Sequence, residues 1–187
     1  MQPPLLLHAR LIDDAFQIWD MARLPPGTSL LGFTGQLQNE MKFGILEWEA
    51  ETPTREVNFL DLTIRIEPDG SITTKTFVKP QNLFLYIPLR SAHPKGVLKS
   101  LIFGRLRCYA IQNSMRCDFV SATRALYGHL LNRGYTAEML APLFREAATM
   151  INNGRFNDAT RDNSWERPPP SVDGRVFIHW EYHPKGI

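Results

Sequence analysis

The sequence predicts an α+β fold in which a strand-rich first part precedes a set of helices. Three observations predict it. Between Val57 and Ile66, Leu60, Leu62, Ile64 and Ile66 alternate with Asp61, Thr63 and Arg65, the period of two expected of a half-buried strand. From Gly96 to Ile151 the apolar residues instead recur at helical spacing. The 187 residues are 43% hydrophobic and 21% charged, enough apolar material for one ordinary domain or two small subdomains, which excludes wholesale disorder.

The elements follow in order. Leu5 to Ile12 and Ala15 to Trp19 are two short apolar strands around Asp13-Asp14, the first expected to be buried. Gly27 to Asn39, with Leu30, Leu31, Phe33 and Leu37, gives a modest helix signal weakened by Gly32 and Gly35. Met41 to Glu49 resumes as a strand, and Val57 to Ile66 is expected as one continuous strand. Pro68-Asp69-Gly70-Ser71 is a turn signal leading into a Thr-rich strand, Ile72 to Val78, which closes a hairpin. Gly96 to Gln112 is the first helix. Ser114 is placed to cap the second, which carries Met115, Phe119, Ala122, Leu126 and Leu130 and stops at Gly134. Thr136 is placed to cap a third, with Leu140, Leu143, Phe144, Ala147 and Ile151 on one face. Phe156 to Asp173 is polar and Pro-rich and predicts a loop, and Arg175 to Tyr182 predicts a last strand.

Several function classes are disfavoured. Cys108 and Cys117 fit neither a disulfide framework nor a zinc site, so a reducing, intracellular location, cytoplasmic or nuclear, is expected. Leu5-Leu6-Leu7 is followed at once by His8 and Arg10 and is too short for a secretory signal, and no membrane partner is expected. His179, Glu181 and His183 would share one face of a strand; a surface or partner-facing strand is the preferred reading over a metal site.

Asp13-Asp14 is the first chemical candidate. Adjacent carboxylates between apolar strands are costly unless they meet cations or water. Mg²⁺ takes hard oxygen ligands and is commonly held by one or two carboxylates plus substrate phosphates. The bland alternative is a turn dipeptide. Asp61 is read as the polar face of a half-exposed strand, with a supporting carboxylate as the alternative. Between Arg90 and Arg124 lie Arg90, Lys95, Lys99, Arg105, Arg107, Arg116 and Arg124, with Asp118 the single acid. Such cations either neutralise backbone phosphates or form a solvated basic face.

An ordered set of blocks resembles reverse transcriptases, most closely the Penelope-like retroelement branch. Arg10-Leu11-Ile12-Asp13-Asp14-Ala15-Phe16 resembles the family's metal-binding hairpin, and Asn58-Phe59-Leu60-Asp61-Leu62-Thr63-Ile64 its next strand. Thr73-Thr74-Lys75-Thr76-Phe77-Val78-Lys79-Pro80, Tyr86, Ser91-Ala92-His93-Pro94, Arg105 to Arg107 and Arg133-Gly134-Tyr135 are similar to later blocks, in the family's order. The resemblance implies a partial polymerase palm, made of a metal hairpin, a helix and a small antiparallel sheet over residues 1–90. A helical thumb over 91–153 and a Pro-rich loop with a terminal strand over 154–187 would follow.

It further implies Asp13 and Asp14 as catalytic Mg²⁺ ligands, Asp13 the more important, with Lys42 offering a general acid. Lys79, Tyr86, Ser91, His93, Lys95, Lys99, Arg105 and Arg107 would contact a primer-template of RNA or DNA. Leu11 departs from the family's Tyr or Phe. The family's other metal-binding Asp lies on an earlier strand, and nothing precedes Met1 in this sequence, so a fragment inactive alone is expected, to be completed by a partner supplying the missing half. The alternatives are a non-catalytic nucleic-acid-binding remnant and an unrelated α+β interaction protein.

Overall fold

A computed structural model describes residues 5–11, 14–27, 29, 32, 48–50, 52–94, 96–152 and 175–182, with backbone alone for 48–50 and 175–182. The chain divides into two compact units, Met1–Thr73 with Pro168–Ile187, and Thr74–Arg167. The expected helix over 27–39 lies almost wholly outside the described residues, as does most of the strand expected over 41–49, and the loop expected over 156–173 lies outside them altogether.

The first unit is built on an antiparallel sheet. β1 (Leu5–Leu11) pairs with β2 (Asp14–Asp20) in antiparallel fashion, with Leu11 opposite Asp14. The sheet order is β1-β2-β7-β3, with β3 spanning Trp48–Ala50 and β7 Arg175–Tyr182. One expectation is corrected here. β1 is an edge strand, and Leu6, Leu7 and Leu11 are 36%, 45% and 50% exposed, so it is not buried. β7 lies inside the sheet rather than at its edge: it pairs with β2 along six positions and with β3 along three, Trp180 to Tyr182.

β2 is buried from Ala15 to Asp20, and its two faces are satisfied differently. Phe16 and Ile18 enter an apolar cluster with Val57, Phe59, Ile64 and Ile66, where the rings of Phe16 and Phe59 lie 4.8 Å apart. On the other face Trp19 donates its indole N–H to Gln17 Oε1 at 3.0 Å, and Gln17 Nε2 lies 3.1 Å from His8 Nδ1. A buried amide with partners at both ends avoids the desolvation cost of an unpaired one. Asp20, also buried, accepts from the Ala22 amide and pairs with Arg23 Nε at 2.9 Å, capping a short 3-10 turn over Met21–Arg23.

The strand expected over Val57 to Ile66 is two strands. β4 (Glu56–Phe59) and β5 (Leu62–Ile66) form a hairpin with Phe59 opposite Leu62, leaving Leu60-Asp61 as the loop. Leu60 takes φ 54, because two-residue hairpin loops need left-handed backbone to match the strand twist. Asp61 therefore sits at an exposed turn and not on a strand face. Arg65 Nε donates to Glu56 Oε2 at 2.6 Å across this pair. The second turn is as expected: Gly70 takes φ 81, its amide reaches Glu67 O at 2.9 Å, and Asp69 Oδ1 accepts from the Ser71 amide. The Ser71 side chain, and after it this backbone bond, hold the Asp69 carboxyl below its ordinary value. β6 (Ile72–Thr76) follows, giving the order β4-β5-β6.

The second unit is a three-helix core. α1 (Val97–Gln112) buries Ile102, Leu106 and Tyr109; α2 (Arg116–Asn132) buries Leu126 and Leu130; α3 (Ala137–Asn152) buries Leu140, Ala147 and Ile151. These spacings of four, three and seven put each set on one helical stripe. Burying one such Leu fully is worth about 2 kcal/mol. α2 ends as its Gly predicts. Gly134 at φ 94 donates to Leu131 O, Tyr135 donates to Leu130 O, and the Tyr135 ring joins the core. α3 starts directly after Thr136, whose carbonyl accepts from Met139 and Leu140. Ser114 does not cap α2: Met115 holds that position, and Ser114 Oγ instead accepts from the Thr74 amide at 2.9 Å. Asn113 beside it is buried and links Tyr109 O, the Thr76 amide and the Thr76 hydroxyl, so the α1–α2 junction is stitched to residues 74–76.

Candidate functional site

The acidic hairpin and the other described candidates fall in different units. In the first, the β1–β2 register sets Leu11 opposite Asp14, the first residue of β2. Asp14 is half-buried, and strand alternation puts it on the Phe16–Ile18 face. Asp13 and the suggested general acid Lys42 lie outside the described residues, as do Lys95 and His183. Among the described residues, no group of three or more His, Cys, Asp or Glu side chains is placed to hold a metal.

In the second unit the remaining candidates come from two places, the segment 79–93 and helix α1. The segment is anchored from behind. Phe84 lies flat on His129, ring centroids 3.9 Å apart and planes within 15°. Its amide donates to Asn82 Oδ1 at 2.9 Å, and Phe84 holds φ 49, an unusual value for a non-Gly residue. Tyr86 is half-buried; its amide reaches Phe84 O, and its own carbonyl accepts from Arg133 Nε at 2.7 Å. Arg133 closes the link, since its carbonyl accepts from the Leu89 amide. Tyr86 packs against the core that holds Tyr109, whose phenol is pushed up to about 12, first by burial and then by Tyr86, with Arg105 opposing.

Ser91 Oγ and His93 Nδ1 are hydrogen-bonded to each other. Both line a pocket of about 290 Å³ whose remaining walls are mostly apolar, among them Leu89, Leu98, Leu130 and Tyr135. A second pocket, about 190 Å³, is lined by Lys75, Phe84, Tyr109, Asn113, Asp118 and His129 among others. Lys79 and His93 are exposed.

On α1, Lys99, Arg105 and Arg107 are exposed. Lys99 is engaged already: its ammonium lies 2.7 Å from Glu146 and 5.1 Å from the Phe103 ring centroid. Arg105 and Arg107, two positions apart, project from different sides of the helix and cannot act as a single patch. Arg105 is the one on the Tyr109 side, as its effect on that phenol requires.

The charge is unevenly divided along the chain. Residues 74–152 carry eleven Lys or Arg and three Asp or Glu, whereas residues 1–73 carry five and eleven. The formal net charge of +2 conceals this polarity. Sequence reasoning located the basic run but missed the anchoring set of Phe84, His129 and Arg133. An aromatic or His in a helix carries no periodic signal that it stacks on a distant loop. Cys108 and Cys117 are exposed free thiols. No described helix is long and apolar enough to cross a membrane.

Comparison with family models, curated proteins and solved structures finds no match for this chain.

Proposed function

We propose that this chain is the metal hairpin and helical thumb portion of a reverse-transcriptase-type RNA-directed DNA polymerase, and that it binds a primer-template duplex. The observation that carries the reading is the β1–β2 register: Leu11 stands opposite Asp14, so Asp14, one of the adjacent acidic pair, opens the first rung of an antiparallel strand pair. The carboxylates of Asp13 and Asp14 are hard-oxygen donors suited to Mg²⁺, which in this chemistry would polarise a primer 3′-hydroxyl and neutralise departing pyrophosphate. The excess of cations in residues 74–152 supports a polyanion partner for the helical unit.

Leu11 favours a second reading, a duplex-binding protein without nucleotide incorporation. It occupies the aromatic position of the family motif and is 50% exposed, giving a primer end no ring to rest on.

The test is a Mn²⁺ titration followed by NMR, with and without a primer-template. The proposal expects broadening of the Leu11, Asp14 and Ala15 amides, lost in Asp13→Asn together with Asp14→Asn. Broadening with no incorporation of deoxynucleotides selects the second reading. Uniform or absent broadening contradicts a metal at the hairpin.

A further inference from the structure

Leu83 and Leu85 are 74% and 73% exposed, the most exposed large apolar side chains among the described residues. They alternate with Phe84 and Tyr86, which turn inward. The segment is not loosely attached. Phe84 stacks on His129, the Tyr86 carbonyl accepts from Arg133, and Phe84 carries a left-handed φ of 49. Left-handed backbone at a bulky residue persists where the surroundings over-determine it, and such strain clusters at ligand clamps. The fold thus expends backbone strain to hold two leucines out in water, where each forgoes about 2 kcal/mol of burial.

The neighbours identify what would cover them. Lys79, Gln81 and Asn82 are exposed on the same segment, and the unit around it is strongly basic. Apolar wedges flanked by Lys, Asn and Gln are the means by which proteins enter a minor groove and part a base step. A membrane surface would call for an amphipathic helix with one broad apolar face, and the segment from Val78 to Arg90 holds no helix.

We propose that Leu83 and Leu85 form a wedge that inserts into the minor groove of a bound duplex and unstacks one base step. This rests on the duplex-binding reading above and adds a base-stack contact to its phosphate contacts. Unstacking costs a few kcal/mol, offset by apolar burial of both side chains and by the extra backbone contact that a kinked duplex allows.

The experiment uses the full chain and a primer-template carrying single 2-aminopurines at successive positions, with binding followed separately by anisotropy at low salt. The expected result is a fluorescence rise at one step on binding. Leu83→Ser with Leu85→Ser abolishes that rise while salt-sensitive binding persists. Both positions are exposed, so the fold, checked by circular dichroism, is retained. Binding with no rise at any position overturns the wedge and leaves the duplex-binding reading standing; no binding at all overturns both. Leu-dependent binding to vesicles of anionic phospholipid, with no rise on the duplex, assigns the leucines to a membrane and overturns the proposal.

Discussion

Arg133, at the C-terminal end of α2, donates through Nε to the backbone carbonyl of Tyr86 at 2.7 Å, 47 positions earlier in the chain. Its own carbonyl accepts from the Leu89 amide. One residue at a helix terminus therefore holds the 79–93 segment at two points, Tyr86 and Leu89. Arg at this position supplies a planar donor that a Lys ammonium on a flexible stem does not reproduce.

Arg133→Ala leaves the Tyr86 carbonyl without its donor. Loss of a hydrogen bond to a charged group costs about 1.5–3 kcal/mol. Urea unfolding reads this as a lower midpoint, and hydrogen exchange reads it as faster exchange at Leu89. Arg133→Lys recovers only part. A midpoint within experimental scatter of the parent would remove the anchoring role.

Leu60 is a branched residue at φ 54 in a two-residue loop. Leu60→Gly relieves the left-handed penalty, about 1–2 kcal/mol, against the backbone entropy of Gly, about 0.5–1 kcal/mol. The expected outcome is a small gain in stability, up to about 1.5 kcal/mol, with an unchanged denaturant slope. A clear loss of stability would show that the Leu60 side chain makes a contact outweighing its strain.

Tyr109 ties stability to alkaline pH. Its phenol stands at about 12 in the folded chain, above the ordinary 10.0, chiefly through burial. The folded protein thus holds this proton more tightly than the unfolded chain. The associated stability is complete below about pH 10 and is lost as pH rises towards 12, on the order of 2 kcal/mol in all. Unfolding followed from pH 9 to 12 should show this decline, and Tyr109→Phe should flatten it. Titration of every tyrosine near 10 in the folded protein would contradict it.

The Lys99–Glu146 pair separates a structural role from a nucleic-acid one. Both side chains are 48% exposed, so the ion pair contributes at most about 1 kcal/mol to stability. Lys99→Ala should barely move the melting temperature. Glu146→Gln frees the ammonium and removes a carboxylate from the basic face, and should tighten duplex binding at low salt. Weaker binding in Glu146→Gln would mean that Glu146 orients Lys99 towards the duplex.

Much of this architecture was legible in the residues. The three helices, the Gly134 stop, the Pro68–Ser71 turn and the strands β1 and β2 all carried local signals, apolar runs and stripes or Gly and Asp in turns. Three failures have physical causes. Phe59-Leu60-Asp61-Leu62 lacks Gly and Asn, so the hairpin was hidden within an apparent alternation. The tell was a switch in parity, Val57 and Phe59 odd, then Leu62, Ile64 and Ile66 even, which is the mark of a two-residue loop. β1 looked like a core strand because its leucines are apolar, but sheet order decides burial, and an edge position leaves them exposed. β7 was placed correctly as a strand, yet its pairing with β2 and β3 is long-range, and no local pattern encodes it. For the candidate site, residue types were legible and their partners were not. Glu146 engaging Lys99 and Arg133 latching Tyr86 both span 47 positions.

The most direct test of the account is the salt dependence of duplex binding by the full chain. The account predicts a steep fall of log K with log salt, about 0.9 per phosphate neutralised. Arg105→Ala should flatten the slope by about 0.9, and Arg107→Ala, on the other side of α1, should change it little. Absence of duplex binding at low salt, or a slope that both substitutions leave untouched, would contradict the assignment of the helical unit as a nucleic-acid clamp.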